Sequence, residues 1–561
     1  MIIASRILPG LFLFVLAAPV VAGFAGTLLP AFGYLPAIGG HALTLNHFRQ
    51  LAAEPGLLQS SLLSLTTGLL ATGITFIMVL LFTAAFAGTT VFSRIQHLVS
   101  PLLAIPHAAA AFGIAFLIAP SGMILRLISP ELTGFTRPPD WLVVNDPMGL
   151  SMVLGLVAKE VPFLFLMVLA ALPQLPVRQA RQTMASLGFG RISGFLVALA
   201  PGLYRQIRLP VFVVLAYSTS VVDVAVILGP GLPAPLSVRL TAWMADPDLQ
   251  ARFLASAGAL LQLGITGLAM VLWWGLERLA GAALRALSLS GWRLTGDRPV
   301  RIAALAGVML SALSIFGGIA ILALWSIAGL WAFPQVLPDE ISLKTWAKVL
   351  PQIFGPLTTT VLAGVVAAAI ATVLAIGLLW SETRNGASAS KTRMPILYLP
   401  LIVPQLAFVF GLQVLVLSLG LEPSFLILVA VHLVFVLPYV VLSLSDPWRA
   451  LDRRYELVAH SLGKSATAVL FQIRLPMLLR ACLTAFAIGF AVSAGLYLPT
   501  LLIGAGRLVT LATETVALSS GGDRRVIGVY ALLQILLPFV AFVIASLIPH
   551  LLFRNRRAMR I

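Results

Sequence analysis

Cysteine is nearly missing from this chain of 561 residues, with Cys482 the only one. No intrachain disulfide can form, and a lone cysteine in an apolar segment reads as a small buried hydrophobe. Charge is scarce too, at 10% of residues where a soluble chain carries about 25%. Hydrophobic residues make up 60%, more than a soluble fold of this size could hide. The chain is therefore membrane-embedded. Acids are the rarer sign, 19 against 36 basic residues. The net charge of +17 lies mostly in short loops between apolar runs, which argues against a nucleic-acid surface. The seven histidines lack HxxxH or HExxH spacing, so neither a metal nor another cofactor is expected.

A nucleotide loop is missing as well. Gly463-Lys464-Ser465 looks like the tail of a P-loop, whose first glycine starts the turn that cradles phosphates. Val458 stands where that glycine belongs, and the preceding "SDPWRALDRRY" is polar and charged where a buried strand is required. The stretch from Glu456 to Pro476 needs another explanation.

What the chain has in abundance is long apolar runs. A membrane helix needs about 20 apolar residues. Twelve segments qualify, near 8–30, 58–87, 98–119, 148–171, 209–229, 254–276, 302–330, 357–380, 396–418, 424–444, 481–503 and 527–552. The first is longer than a typical signal-peptide core of roughly 7–15 residues, so it reads as an uncleaved span. With the N-terminus cytoplasmic, 25 of the 36 basic residues fall in cytoplasmic segments, as expected because basic loops resist translocation. An even number of spans then places both termini inside, consistent with the basic tail "RNRRAMR".

The chain also repeats itself. At an offset of 275, Ser186, Leu187, Gly188 and Pro201 meet Ser461, Leu462, Gly463 and Pro476, and Ser218 and Gly229 meet Ser493 and Gly504. Pro162 meets Pro438 at 276, while Pro106 and Gly113 of "IPHAAAAFG" meet Pro404 and Gly411 of "VPQLAFVFG" at 298. The offset changes because the first half has a longer outer loop, about 120–146. The expected architecture is an all-α polytopic membrane protein with two parallel six-span repeats. The halves are 1–277 and 302–561, with core domains about 58–276 and 355–552, joined by a linker at 278–301. A path between the halves is the natural place for a substrate.

In each half the longest cytoplasmic loop follows span four. It carries Leu187-Gly188 and then Ala198-Leu199-Ala200-Pro201, or Leu462-Gly463 and then Ile473-Arg474-Leu475-Pro476. A short helix ended by glycine, a second short helix and a breaking proline make an exposed knob suited to a partner's groove.

These loops resemble the EAA loop of bacterial ABC importer permeases, E-A-A-x-x-x-G followed by nine residues and I-x-L-P. In the second copy Ile473, Leu475, Pro476 and the spacing from Gly463 match. Glu456 is one place earlier than the pattern's acid, and Ala459 keeps one alanine. In the first copy Gln182 takes the acid position and Ala185, Gly188 and Pro201 remain, while Ala198 and Ala200 replace Ile and Leu. Two such units in one chain look like the fused permeases of ferric-iron and thiamine importers. The resemblance implies a type I importer permease fold in the bacterial inner membrane. It also implies a separate cytoplasmic ATPase in two copies, a periplasmic solute-binding protein, and no bond chemistry on this chain. An ion-gradient-driven transporter is the alternative, but it leaves the paired glycine loops without a purpose.

Three charges fall inside spans: Lys159 and Glu160 in span four and Asp223 in span five. The matching second-half positions are Phe435, Val436 and Leu498. Intramembrane charges face a water path or pair with each other. The two readings are a substrate path lined by Glu160 and Asp223, or a packing cluster that includes Lys159. His107, next to Pro106, reads as packed or interfacial. Trp141, Trp273, Trp274 and Trp331 near span ends read as interfacial anchors.

Overall fold

The computed structural model describes residues 2–291, 293, 295–385 and 393–554. Apart from Arg554, the basic tail lies outside them, as does the centre of the loop at 384–393. Among the described residues there is helix and no strand, with two isolated β-bridges. A hydrocarbon core offers no hydrogen bonds, so apolar runs this long close their backbone bonds within the helix. The main helices are α1 Ile2–Ala31, α2 Leu57–Phe86, α3 His107–Ile118, α4 Leu150–Ala171, α5 Ala200–Ser220 and α6 Ala251–Leu289. The second set is α7 Arg298–Ser326, α8 Lys344–Asn385, α9 Gln405–Ser418, α10 Phe425–Ala450, α11 Leu479–Gly495 and α12 Arg524–Leu552. Among the described residues, nine helices are long and apolar enough to cross a membrane, and three bent pairs raise the number of spans to as many as twelve.

The bends correct several expected spans. Span nine is two helices meeting at 91° across Val403 and Pro404, since proline withholds its N–H and disfavours helix before it. Span three begins only after Pro106, preceded by a separate helix Thr90–Val99 and a 3₁₀ turn. Span five runs from Ala200 and stops at Ser220, so Asp223 opens a separate short helix, Asp223–Leu228. Span eleven stops at Gly495 in the same way, followed by Leu498–Gly504. The expected linker 278–301 is largely helical, because α6 continues to Leu289 and α7 begins at Arg298.

The same contacts recur in both halves. In each, the first, third and fourth core helices pack on one another: α2, α4 and α5, or α8, α10 and α11. The leading helices cross over. α1 packs on α9 and α6, while α7 packs on α3 and α12. Glycines allow the close approach. A Cβ at Gly411 would stand 1.9 Å from the Gly23 carbonyl oxygen, and one at Gly113 would stand 2.7 Å from Gly318 Cα. Gly113 and Gly411 are the aligned pair. A second shared device caps the next short helices along each half, Leu236–Met244 and Leu511–Ala517. Leu236 N–H donates to Ser64 Oγ at 3.0 Å, and Leu511 N–H donates to Thr360 Oγ1 at 2.9 Å.

At the end opposite the helix–glycine–helix loops, Arg126 ties the halves together. Its guanidinium donates to the carbonyls of Ser121, Ala332 and Gln335 at 3.0, 2.9 and 2.7 Å. It also lies 4.7 Å over the Trp331 ring.

The glycine contacts generate a prediction. Gly411→Ala should lower stability by about 2 kcal/mol or more, since the clash is with backbone that cannot rotate away. Gly267→Ala, with open space around it, should change little. Thermal unfolding of the purified full chain in nanodiscs checks the contrast.

Candidate functional site

The two repeated loops form helix–turn–helix knobs. The first is Val177–Ser186 followed by Arg191–Ala198, and the second is Arg454–Ser461 followed by Ala466–Val469 and its continuation to Met477. The turn glycines hold left-handed backbone, φ +80° at Gly188 and +76° at Gly463, which only glycine adopts at low cost. In the second knob Ser465 caps the outgoing helix, its hydroxyl accepting from Ala468 N–H at 3.3 Å. Bends of 67° and 75° separate the knobs from α5 and α11.

Gln182, Ala185, Leu187, Gly188 and Pro201 are all exposed in the first knob. In the second, Leu462 and Gly463 are exposed, Glu456, Ile473, Leu475 and Pro476 are half-buried, and Ala459 is buried. Leu457, Val458 and Leu462 carry apolar surface into solvent, with Leu462 75% exposed. Exposed apolar groups clustered on a polar loop mark a surface that meets a partner.

The knobs are braced differently. In the second, Arg474 is buried and pairs with Glu456, so the two arms are clamped. Arg474 also donates to the Trp448 carbonyl at 2.7 Å and lies 4.4 Å over the Trp448 ring. The first knob has no such clamp, since Leu199 occupies the Arg474 position. Its arms hold on to their surroundings. Arg181 and Arg191 both donate to the Ala87 carbonyl, at 2.9 and 3.0 Å. The segment between α6 and α7 supplies the rest. Gly190 N–H donates to the Arg293 carbonyl at 3.0 Å, and Ile192 N–H donates to Asp297 Oδ2 at 3.2 Å. Sequence reasoning missed both Arg474 and Asp297. Arg474 was legible only as the unassigned position of I-x-L-P, and Asp297 had no local signal.

The intramembrane charges do not join into one ion-pair cluster. Lys159 Nζ donates to the carbonyls of Leu102 and Leu103, at 2.9 and 3.0 Å. It thereby supplies a donor that Pro106 lacks, four residues after Leu102. Glu160 Oε1 lies 3.2 Å from His107 Nε2. Asp223 Oδ1 accepts from Tyr217 O–H at 3.3 Å, and the Tyr217 and His107 rings are 4.7 Å apart. Tyr439 on α10 and Tyr497 beyond α11 lie within electrostatic range of Glu160 and Asp223 respectively. The two acids are thus linked through His107 and Tyr217, whose rings lie side by side. Glu160 is ten residues into α4, about 15 Å along the helix, which is the middle of a hydrocarbon core of roughly 30 Å.

A repeated "ALLQ" was also legible in the sequence, at Ala259–Gln262 and Ala531–Gln534. Gln262 Nε2 donates to the Thr219 carbonyl at 3.0 Å, where α5 breaks. Gln534 is buried with neither amide atom hydrogen-bonded.

Bent spans, a crossed-over pair of half-chains and two exposed knobs define a polytopic helical membrane protein. Residues 373–557 match the family of the binding-protein-dependent transport system inner membrane component. The chain is 31% identical over 522 residues to the inner membrane ABC transporter permease protein YnjC of Escherichia coli, covering 92% of this chain and 93% of that protein. It is 27% identical over 210 residues to the spermidine/putrescine transport system permease protein PotC homolog of Mycoplasma pneumoniae, covering 37% of this chain and 73% of that one. The chain belongs to the binding-protein-dependent ABC transporter permeases. It is a multi-pass inner membrane transport subunit and not an enzyme. The family works with an ABC ATPase and a solute-binding protein.

The different bracing of the knobs is testable by hydrogen exchange on the full chain. Arg474→Ala should speed exchange across 454–477 by about tenfold or more and leave 177–198 unchanged. Asp297→Ala should do the reverse, because an amide exchanges faster when the contacts holding its helix are lost.

Proposed function

We propose that this chain imports a small solute as a fused pair of permease units, about 1–277 and 302–561, each offering one knob to an ATPase subunit. Both termini then lie in the cytoplasm, with the basic loops. Two ATPase copies engage the two knobs, and a periplasmic binding protein delivers solute to the opposite face. The residues assigned to coupling are Gln182, Ala185, Leu187, Gly188 and Pro201 in the first unit. In the second they are Glu456, Ala459, Leu462, Gly463, Ile473, Leu475 and Pro476. The observation that carries this reading is the recurrence of one shape, helix, left-handed glycine and helix, at the same place in both halves.

Mechanically, closure of the ATPase pair pushes both knobs together. The second knob moves as one clamped body through Glu456 and Arg474. The bends between knobs and spans turn that push into tilting of α5 and α11, and the halves rock about the path between them. ATP hydrolysis stays on the partner, which fits the missing P-loop.

Gly463→Asp tests the reading. A side chain at φ +76° strains the turn and adds charge to the docking surface. Co-purification with the ATPase should fall about tenfold or more, with the amount of membrane-inserted chain unchanged. Undiminished ATPase association would refute the coupling role.

A further inference from the structure

We propose that the foot of the first knob binds the phosphate headgroup of an anionic phospholipid. The proposal goes beyond the import reading and needs only that this end of the bundle stands at a membrane surface.

A cavity of about 650 Å³ opens there, between the end of α2, the turn that follows α4 and the helix Val177–Ser186. Its size falls in the range of small-molecule sites, roughly 300–1,000 Å³. Two kinds of wall meet in it. Leu172, Leu175 and Val177 are apolar and packed partly on the core. Arg178, Gln179 and Gln182 are exposed, and among the described residues their side chains have no hydrogen-bond or ion-pair partner. An apolar wall beside unpaired donors, where two spans end, fits an amphiphile whose chains lie in hydrocarbon and whose head is polar.

The charge around the cavity is mostly of one sign. Arg181 and Arg191 both donate to the Ala87 carbonyl on the cavity rim, at 2.9 and 3.0 Å. Arg301 lies within electrostatic range of Arg191, and Arg191 Nε is buried without a partner. Against these arginines and Arg178 stands Asp297, 3.7 Å from Arg301 and already accepting from Ile192 N–H. The second half neutralises the matching place. Glu456 pairs with Arg474, and Glu382 lies 3.5 Å from Arg449. At the offset of 275, Arg181 stands where the second half has Glu456. At the offset of 296 that separates Ser64 from Thr360, Phe86 stands where it has Glu382. The first half thus lacks both acids and carries a further cation, and a bound phosphate balances it. Lipid is also at hand. α7 rises beside this knob from Arg298, with Ile302, Leu310 and Leu313 exposed along it, and exposed apolar side chains on a span face acyl chains. Guanidinium groups match phosphate oxygens, and basic pockets at the ends of spans hold anionic lipid heads.

Native mass spectrometry on the full chain, released from nanodiscs of mixed phosphatidylglycerol and phosphatidylcholine, tests the site. Phosphatidylglycerol should be retained over phosphatidylcholine by about tenfold or more. Arg178→Gln, which has no partner to lose, and Arg181→Gln should each weaken that retention by about fivefold, the worth of one basic group at an anionic surface. Arg454→Gln, at a residue 88% exposed on the second knob, should leave it unchanged. Equal retention of the two lipids, or an Arg178→Gln chain that retains phosphatidylglycerol like wild type, would overturn the site. Displacement of the lipid by inorganic phosphate, but not by chloride at equal ionic strength, would replace the lipid with a free anion. Release of the ATPase by Arg178→Gln with phosphatidylglycerol still bound would assign the patch to an acidic protein face instead. Where Arg181→Gln fails to fold, Arg178→Gln and the wild-type comparison decide.

Discussion

A hydrocarbon interior supplies no hydrogen bonds, so every backbone group left open by a broken helix needs a partner from the protein itself. Much of this structure follows from that constraint. Polar side chains at membrane depth sit beside breaks, because unwound turns make room for them. Two of the breaks in the first half are closed by side chains from other helices. Lys159 serves the carbonyls before Pro106. Gln262 serves Thr219 where α5 ends, and Ser237 Oγ donates to the Val221 carbonyl at 2.6 Å. These groups are expensive to bury alone and inexpensive when paired, so the polar residues of the interior are tied to the breaks that expose backbone.

The two halves share a frame but not its fittings. Glycine contacts at Gly113 and Gly411, hydroxyl caps at Ser64 and Thr360, and left-handed turns at Gly188 and Gly463 recur. Among the described residues, buried acids occur in the first half alone. The second half has a neutral network at its own break, with His432 bridging Ser493 and Thr500 at 2.7 and 2.9 Å. The knobs diverge too, one clamped internally by Arg474 and one held by Asp297 and the inter-half segment. A single chain permits this, because each half always occupies the same place and meets the same neighbours.

Much of the outline was legible because membrane helices announce themselves in one dimension. Apolar runs of sufficient length located all twelve main helices, most of them to within a few residues at one end or both. The repeat was legible where backbone demands a residue type, as at Gly188 and Gly463, whose φ excludes most side chains. Helix breaks were harder to see. Val221 and Val222 are as apolar as the spans beside them, so span five seemed to continue through Asp223. Partners across the fold were not legible at all. Lys159, Glu160 and Asp223 are neighbours in the sequence or in the span order, which suggested pairing among themselves. Lys159 faces the 3₁₀ turn at Ser100–Ala104 instead, and Glu160 faces His107.

By itself the sequence determined a polytopic membrane protein built from two like halves, each bearing a helix–glycine–helix loop after its fourth span. Length, hydropathy and backbone stereochemistry are local properties, and local properties can be read along a chain. Only the tertiary structure decided that α1 and α7 cross to the opposite half, that Arg474 and Asp297 brace the knobs, and that Glu160 meets His107 while Asp223 meets Tyr217. Those outcomes depend on which helix faces lie together and where a broken helix leaves room. Packing in three dimensions sets both.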